Sequence, residues 1–382
     1  MRKMDQITNP RLILLLAAAL LCPSDAWSDS APRTLAEGQG PRAPQQPQVS
    51  VSATGIVDAV FAAGDEIQVC VSRDRGLSFQ PAATRISCSN LSAGMRRGPR
   101  VIRTKSALVV TAIGGRQGRG RDGDLWAWRS ADDGATWSDG VMVNDQPDAA
   151  REGLHGMTFG PDGAVWCVWL DLRSSKTEIY AANSNDDGQT WSSQVRVYRS
   201  PDGSVCECCH PSIAGGPQSS LRVMFRNSLN GQRDMFLASS TGGGKFLPAK
   251  KLGRGSWTLN ACPMDGGMLA ADHRGGLVTI WQRQGHVFAT TGAKTAERDL
   301  GEGRQPWAAW SAAGPVVVWT QGREGPLKLQ VGLVGKVREL AANARHPVVA
   351  SDPRQDFAVV CWESRQGKMS AVLTQTIATS PE

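Results

Sequence analysis

The sequence predicts an all-β chain assembled from one repeated unit, and three observations carry that prediction. First, an octet of the form S-x-D-x-G-x-[ST]-[WF] occurs at 72–79, 130–137 and 184–191, with a worn copy at 239–246 that has Thr241 in the Asp slot and Lys245 in the Thr slot. Its starts lie 58, 54 and 55 residues apart, a fixed period that marks a repeat architecture. Second, seven short apolar runs recur at one phase of that period: 56–61, 107–113, 164–170, 221–225, 277–281, 315–319 and 357–362. Third, helical periodicity is nearly absent, while 42 glycines and 13 tryptophans accompany short alternating runs.

Taken in order, residues 1–26 read as a secretory signal. Arg2, Lys3 and Arg11 supply positive charge, 12–21 is apolar, and Ser24-Asp25-Ala26 offers a small-x-small cleavage site. The apolar run is too short to span a bilayer as a helix. The expected location is the periplasm or the medium, with a lipoprotein anchored through Cys22 as a minor alternative. Residues 27–46, rich in Pro, Gln, Gly and Ser, read as a disordered linker. The remainder, 47–378, shows no internal boundary.

Within each unit the pattern is an inner strand, a second apolar strand, a third strand running into the octet, and an outer strand. The octet is a turn: the Asp carboxylate and the Ser and Thr hydroxyls bond nearby backbone N–H groups, and the Gly takes the positive φ. The terminal Trp or Phe is then an apolar plug. Five second strands end in a large aromatic (Trp169, Phe225, Trp281, Trp319, Trp362), as equivalent slots of one repeat would. Seven units between 48 and 377 average about 47 residues, the size of four-stranded blades in a β-propeller. Seven blades are favoured, with six as the alternative. The last unit, 346–377, has room for three strands, and the N-terminal segment is expected to donate the fourth and close the ring.

A formal net charge of +7, with both signs interspersed, lacks the basic stripe and recognition module of a nucleic-acid binder and favours an anionic ligand. In a propeller, positions just before inner strands and just after second strands converge on one channel mouth. Those positions hold Arg97 and Arg100; His155; Cys206-Glu207-Cys208-Cys209-His210; Cys262-Pro263-Met264-Asp265; Arg304-Gln305; and Arg345-His346. They also hold Arg116, Arg119, Arg121 and Asp122; Asp171 and Arg173; Arg226; Arg283; and Glu363 with Arg365. Arg outnumbers Lys there, and its planar fork suits carboxylate or phosphate.

The octets resemble the Asp box of the bacterial sialidase (neuraminidase) propellers, where the box marks the scaffold on the face opposite the active site. Arg97-Gly98-Pro99 followed by Val101-Ile102-Arg103-Thr104 resembles that family's [FY]-R-I-P segment. The resemblance implies that Arg97 clamps a substrate carboxylate with Arg226 and Arg283, and that Asp122 is the acid/base. It also implies a Tyr nucleophile, yet Tyr180 and Tyr198 fall in a third and an outer strand, away from the channel. Hydrolysis by a carboxylate pair needs two acids about 5–10 Å apart, for which Asp122, Asp171, Asp265 and Glu363 are candidates. The functional expectation is a monomer that binds an acidic glycan or similar anion, through Arg97, Arg100, His155, Arg173, Arg226, Arg283 and Arg304, with hydrolysis left open.

Eight cysteines follow the signal, an even number that in an exported chain points first to disulfides. Cys206, Cys208, Cys209 and Cys262 begin adjacent inner strands and either staple two blades or, with His210, ligate copper or zinc. The C-x-x-C-H spelling also matches haem attachment, but a blade mouth offers little room for the macrocycle. Cys70 and Cys88 are expected to bridge within the first unit, and Cys167 and Cys361 to be buried apolar residues. The C-x-C-C element resembles a subset of bacterial sialidase-like proteins. Two rivals to glycan binding stay open: a metal-binding or redox protein of the periplasm, and a non-catalytic interaction scaffold.

Overall fold

A computed structural model describes residues 28–160, 162–217, 220–242, 244–292 and 296–380; the expected signal segment lies outside them. The chain begins with β1 (Arg33–Gln39), β2 (Pro44–Val51), β3 (Val57–Ala63), β4 (Glu66–Ser72), β5 (Gln80–Pro81) and β6 (Ile86–Ser87). β2 to β5 form an antiparallel sheet in chain order, with β6 also on β4. A second sheet holds β7 (Arg100–Arg103), β8 (Leu108–Gly114), β9 (Asp124–Ser130) and β10 (Val141–Met142). A third holds β11 (His155–Phe159), β12 (Val165–Asp171), β13 (Glu178–Ser184) and β14 (Val195–Tyr198). A fourth holds β15 (Ser212–Gly215), β16 (Leu221–Arg226), β17 (Met235–Ser239) and β18 (Lys250–Lys251). A fifth holds β19 (Met268–Ala271), β20 (Leu277–Arg283), β21 (His286–Thr291) and β22 (Arg298–Glu302).

The last six strands are β23 (Arg304–Ser311), β24 (Gly314–Thr320), β25 (Gly325–Val331), β26 (Arg338–Ala350), β27 (Phe357–Gln366) and β28 (Met369–Ala378). With β1 they form one sheet in the order β1-β28-β27-β26-β25-β24-β23. β26 belongs to two neighbourhoods. Its residues from Arg338 to Ala344 pair with β25, and those from Arg345 to Ala350 pair with β27. Among the described residues there is no α-helix, and the architecture is a β-propeller.

Each apolar run of the sequence is a second strand: β3, β8, β12, β16, β20, β24 and β27. A second strand has a neighbouring sheet on either face, so it reads as a continuous apolar run rather than an alternating one. β3, β8 and β12 are buried at every residue. Trp169, Trp281, Trp319, Trp362 and Phe225 are each at most 2 % exposed and fill the spaces between sheets.

Two expectations are corrected. Residues 28–46 do not form a disordered linker: they contain β1, a 3-10 turn at Gly40–Arg42 and the start of β2. The composition misleads because β1 is an outer edge strand with half its residues exposed, which needs few apolar side chains. β1 pairs with β28 from Arg33↔Thr374 to Gln39↔Met369, so the N-terminal segment does supply the missing strand of the last unit. Cys70 and Cys88 do not bridge. Cys70 lies opposite Pro81, whereas the Cys88 amide bonds the Asp65 carbonyl, five residues back along the strand, or roughly 16 Å. All eight described cysteines are free, and Cys167 and Cys361 are fully buried, as expected.

The three good octets fold alike. Ser184 Oγ donates to Asp186 Oδ1 at 2.7 Å, Thr190 N and Oγ1 donate to the Asp186 carboxylate at 2.9 and 2.5 Å, and Gly188 N donates to Ser184 Oγ at 2.8 Å. The same bonds recur around Asp132 and Asp74. Gly188 has φ +86°, and an added Cβ would meet Val109 at 3.0 Å. Chiefly the Thr136 hydroxyl holds Asp132 down to about 2. Asp186→Ala leaves one amide and two hydroxyl donors without their acceptor and is expected to lower unfolding free energy by about 1–3 kcal/mol, read by denaturant titration. A loss below a few tenths would mean that the turn is set by its backbone alone.

Candidate functional site

Four long connections, 88–99, 143–154, 199–211 and 252–267, join successive sheets on the face where inner strands begin. A cavity of about 650 Å³ lies on the axis. Among the described residues it is lined by seven segments: 48–52, 100–103, 155–160, 210–217, 268–273, 307–310 and 349–353. Near the starts of these segments Arg100, His155, His210 and Trp307 are buried, whereas toward their ends Ser52, His273, Trp310 and Asp352 are half-buried or exposed. The cavity is therefore closed at the face of the long connections and open at the face of the octet turns.

The closure is built from buried cations. Arg96 donates to the carbonyls of Pro347 at 2.8 Å and of Gln305, and its guanidinium lies 5.0 Å from the Trp307 ring centroid. Arg100 donates to the carbonyls of Gly98, Pro99 and Arg96, each at 3.0 Å. Arg226 donates to the carbonyls of Arg233, Gln282 and Asp265 at 2.7, 2.8 and 3.1 Å, and its guanidinium lies 5.4 Å from the Trp257 ring centroid. These guanidinium groups are bonded to backbone carbonyls rather than to carboxylates. Burial pushes Arg96 down to about 10, and burial plus the neighbouring Arg96 pushes Arg100 down to about 9.

His210 stands among these three cations, stacked on Trp307 with centroids 5.5 Å apart, and neither ring nitrogen has a hydrogen-bond partner among the described residues. Burial and the three guanidinium groups hold its ring neutral. His155 Nε2 lies 3.0 Å from Thr111 Oγ1, and its Nδ1 is unpartnered; burial keeps this ring neutral too. Burial, with Arg96 and Arg345 nearby, drives His346 down to about 3.

Two buried acids complete the plug. Asp265 accepts from Gln305 N at 2.8 Å and keeps Oδ1 unpartnered. Glu363 accepts from the backbone and side-chain nitrogens of Gln46 at 2.7 and 3.0 Å. Burial raises both carboxyls. Gln46, Arg96, Met264, Gln305 and His346 all have φ between +47° and +70°, a ring of left-handed non-glycine residues at one face.

The structure thus brings Arg100, His155, His210, Arg226 and Asp265 together, as the phase of the repeat predicts. His346 and Glu363 join them, and several other candidates lie elsewhere or are spent on local partners. Asp122 is a turn lock: burial raises its carboxyl, but the amides of Gln117, Gly118 and Arg116, at 2.8, 2.9 and 2.7 Å, outweigh that and hold it low. Asp171 accepts from Trp169 Nε1 and from the Arg173 guanidinium, all at 2.9 Å, so acid and base are spent on each other. Arg173 further lies 4.0 Å from the Tyr180 ring centroid. Arg283 makes a two-pronged pair with Glu297 at 2.7 and 2.9 Å and lies 3.9 Å from the Phe288 ring centroid. Arg97 donates to the Glu152 carbonyl at 2.7 Å, and Arg304 is half-buried in β23, near Asp265.

Sequence reasoning missed Arg96, choosing its neighbour Arg97 on family pattern. The legible signal was the cationic run Arg96-Arg97-Gly98-Pro99-Arg100, in which the first and last residues face inward together.

The cysteine cluster lies beside this plug. The Sγ atoms of Cys206, Cys208 and Cys209 stand 3.1, 3.7 and 4.0 Å apart, all buried, and Met264 is packed on them. Cys262 is exposed and reaches the Cys208 thiol. The neighbouring thiols of Cys208 and Cys209, and then Arg226 and Arg233, favour the thiolate of Cys206 and bring it down to about 4. His210 is not part of this group, contrary to expectation: its ring turns to Trp307.

No protein-family model matches the chain, and no curated protein does. Solved structures do. The chain is similar to an α-L-arabinanase of Penicillium chrysogenum complexed with arabinobiose, at 13 % identity and TM-score 0.56 over 92 % of this chain and 99 % of that one. It is similar to the GH93 α-L-arabinofuranosidase of Fusarium graminearum with arabinobiose, at 11 % identity and TM-score 0.53 over 92 % and 98 %. A sialidase of Trypanosoma rangeli follows at 9 % identity and TM-score 0.49, over 90 % and 60 %. At these identities the likeness is one of fold.

Proposed function

We propose that this chain is an exported, Asp-box propeller that binds an acidic sugar at the closed end of its axial cavity and does not hydrolyse it. We take the seven-stranded sheet as two blades joined through β26, which makes seven in all. The observation that carries the reading is the group around His210: three buried guanidinium groups without a carboxylate bonded to any of them, beside imidazole nitrogens that lack partners. Asp265 lies near Arg96 and Arg226, and Glu363 near Arg96, whereas Arg100 lines the cavity with no carboxylate beside it among the described residues. A buried cation so placed costs several kcal/mol, and a carboxylate ligand would relieve that cost. A cavity of about 650 Å³ suits one or two sugar units. Fold neighbours that act on or hold sugars agree with it.

The hydrolytic part is dropped because none of the four candidate acids lines the cavity among the described residues. Asp122 holds a turn and Asp171 holds Arg173, while Asp265 and Glu363 sit in the plug and accept from Gln305 and Gln46.

Calorimetric titration of sialic acid and galacturonate against galactose tests this reading. A carboxylate that gains charge-assisted bonds worth about 1.5–3 kcal/mol should bind roughly 10–100 times tighter than the neutral sugar. Arg100→Gln should remove that preference while Arg100→Lys keeps part of it. Equal affinity for acidic and neutral sugars would end the anion reading. Turnover of a fluorogenic sialoside, abolished in Arg100→Gln, would end the binding-only reading.

A further inference from the structure

We infer that Cys206, Cys208 and Cys209, with the thioether of Met264 as fourth donor and Cys262 as the entry ligand, form a binding site for Cu(I), separate from the sugar cavity. The three buried sulfurs form a triangle with sides of 3.1, 3.7 and 4.0 Å. Sulfurs held about 2.3 Å from a shared tetrahedral ion stand about 3.8 Å apart. Two sides already agree, and the third opens by roughly 0.7 Å. Cys262 approaches Cys208 from the neighbouring connection, and Met264, two residues on, packs against the cluster. The site thus spans two sheets.

The choice of metal follows from the donors. The group is sulfur only, since the one imidazole next to it in sequence, His210, stacks on Trp307 instead. Thiolate and thioether donors select Cu(I), whereas a thioether does nothing for Zn(II), which prefers thiolate, imidazole and carboxylate. Arg226 and Arg233 lie close to Cys206 and offset the negative charge that several thiolates leave on one monovalent cation. There is also an access route: Cys262 is exposed and Cys208 sits at the surface edge, so an ion can be handed inward from one sulfur to the next. Met264 holds φ +54°, a left-handed conformation that a flexible apolar residue has no local reason to adopt. On binding, each coordinating thiol gives its proton to solvent and the copper keeps its oxidation state.

The test uses the full chain, reduced and desalted under anaerobic conditions, titrated with Cu(I) in competition with bicinchoninate. One Cu(I) per chain is expected, with an ultraviolet thiolate-to-copper charge-transfer band. Cys208→Ser should weaken binding by more than the roughly 10–100-fold that losing a residue merely supporting a ligand costs, and Cys262→Ser should weaken it within that range. Met264→Leu, which keeps shape and removes the sulfur, should weaken it about tenfold, and Cys88→Ala should leave it unchanged. Thermal melts and acidic-sugar titrations of the same variants separate a lost site from a lost fold and from failure of the sugar reading. Undiminished Cu(I) affinity in the Cys208→Ser/Cys262→Ser double variant overturns the proposal. So does Zn(II) outcompeting Cu(I), or a complement of disulfides among the four cysteines in freshly isolated protein.

Discussion

A variant that begins at Gly40, lacking β1, is expected to melt on the order of 10 °C lower than one that begins at Ser28 and to aggregate on concentration. β1 lies along β28 from Arg33↔Thr374 to Gln39↔Met369. Just before it, Ser30 N donates to the Thr376 carbonyl at 2.9 Å, and Asp29 accepts from Ala378 N at 3.1 Å and from Arg338 at 2.8 Å. At about 1 kcal/mol net per bond, removing these contacts costs on the order of 5 kcal/mol. The second effect is the uncovered edge: β28 is ten residues long and would offer a full row of unpaired backbone groups to another copy. Differential scanning calorimetry with size-exclusion chromatography reads both. A truncated chain that stays monomeric and melts within a couple of degrees of the intact one would show that β1 is an ornament rather than a closure.

Arg103→Leu is expected to destabilise the chain by about 3–5 kcal/mol at neutral pH. Arg103 begins in one sheet and reaches Asp58 of the preceding sheet with two bonds at 2.6 and 2.9 Å, then Asp133 of the octet turn at 2.6 Å. Asp58 is fully buried, so the leucine leaves its carboxylate without its counter-charge. Burial already lifts the Asp58 carboxyl above its ordinary value even with Arg103 in place. A carboxyl raised in the folded state disfavours folding when ionised, and that cost disappears as pH falls and the group takes up a proton. Removing Arg103 raises it further, so the gap between variant and parent should be wide at pH 7 and narrow toward pH 5. Asp58→Asn in the same background should recover most of the loss. A gap that is constant with pH, or a double variant no better than the single, would put the cost in packing instead of charge.

What the sequence discloses and what it hides divide along physical lines. Second strands are legible because both of their faces are covered: the run Val165–Asp171 can only be a core strand. Outer strands are nearly illegible, because Gln80–Pro81, Val141–Met142 and Lys250–Lys251 are two residues long and face solvent. The segment Arg33–Gln39 reads as disordered for the same reason, although its partner strand, missing from the last unit, betrays its place. At the site, convergence follows from repeat phase, so Arg100, His155, His210 and Asp265 could be gathered in advance. Partnership does not follow from it. Nothing local tells that Asp122 would be consumed by the amides of Arg116 to Gly118, or that Arg283 would find Glu297 across a sheet. Cys209 and His210 are neighbours in the chain, yet one joins the sulfurs and the other faces the axis, because the turn that gathers Cys206, Cys208 and Cys209, closed by Cys209 N on the Cys206 carbonyl, ends just before His210.

The continuity of β26 bears on how this ring can diversify. Four passages between sheets around the axis are long connections, and they carry Arg96, Cys206, Cys262 and the residues around them. From Glu302 to Arg304 the passage is one glycine, and at Ala344–Arg345 it is unbroken strand paired on both sides. Extra residues at 199–211 or 252–267 lengthen a surface loop, whereas extra residues at Ala344 shift the register of two ladders at once. Novelty in this scaffold therefore has one permissive arc to accumulate in and one arc that is closed to it, and binding-site evolution is confined to the arc where the cations and the sulfurs already stand.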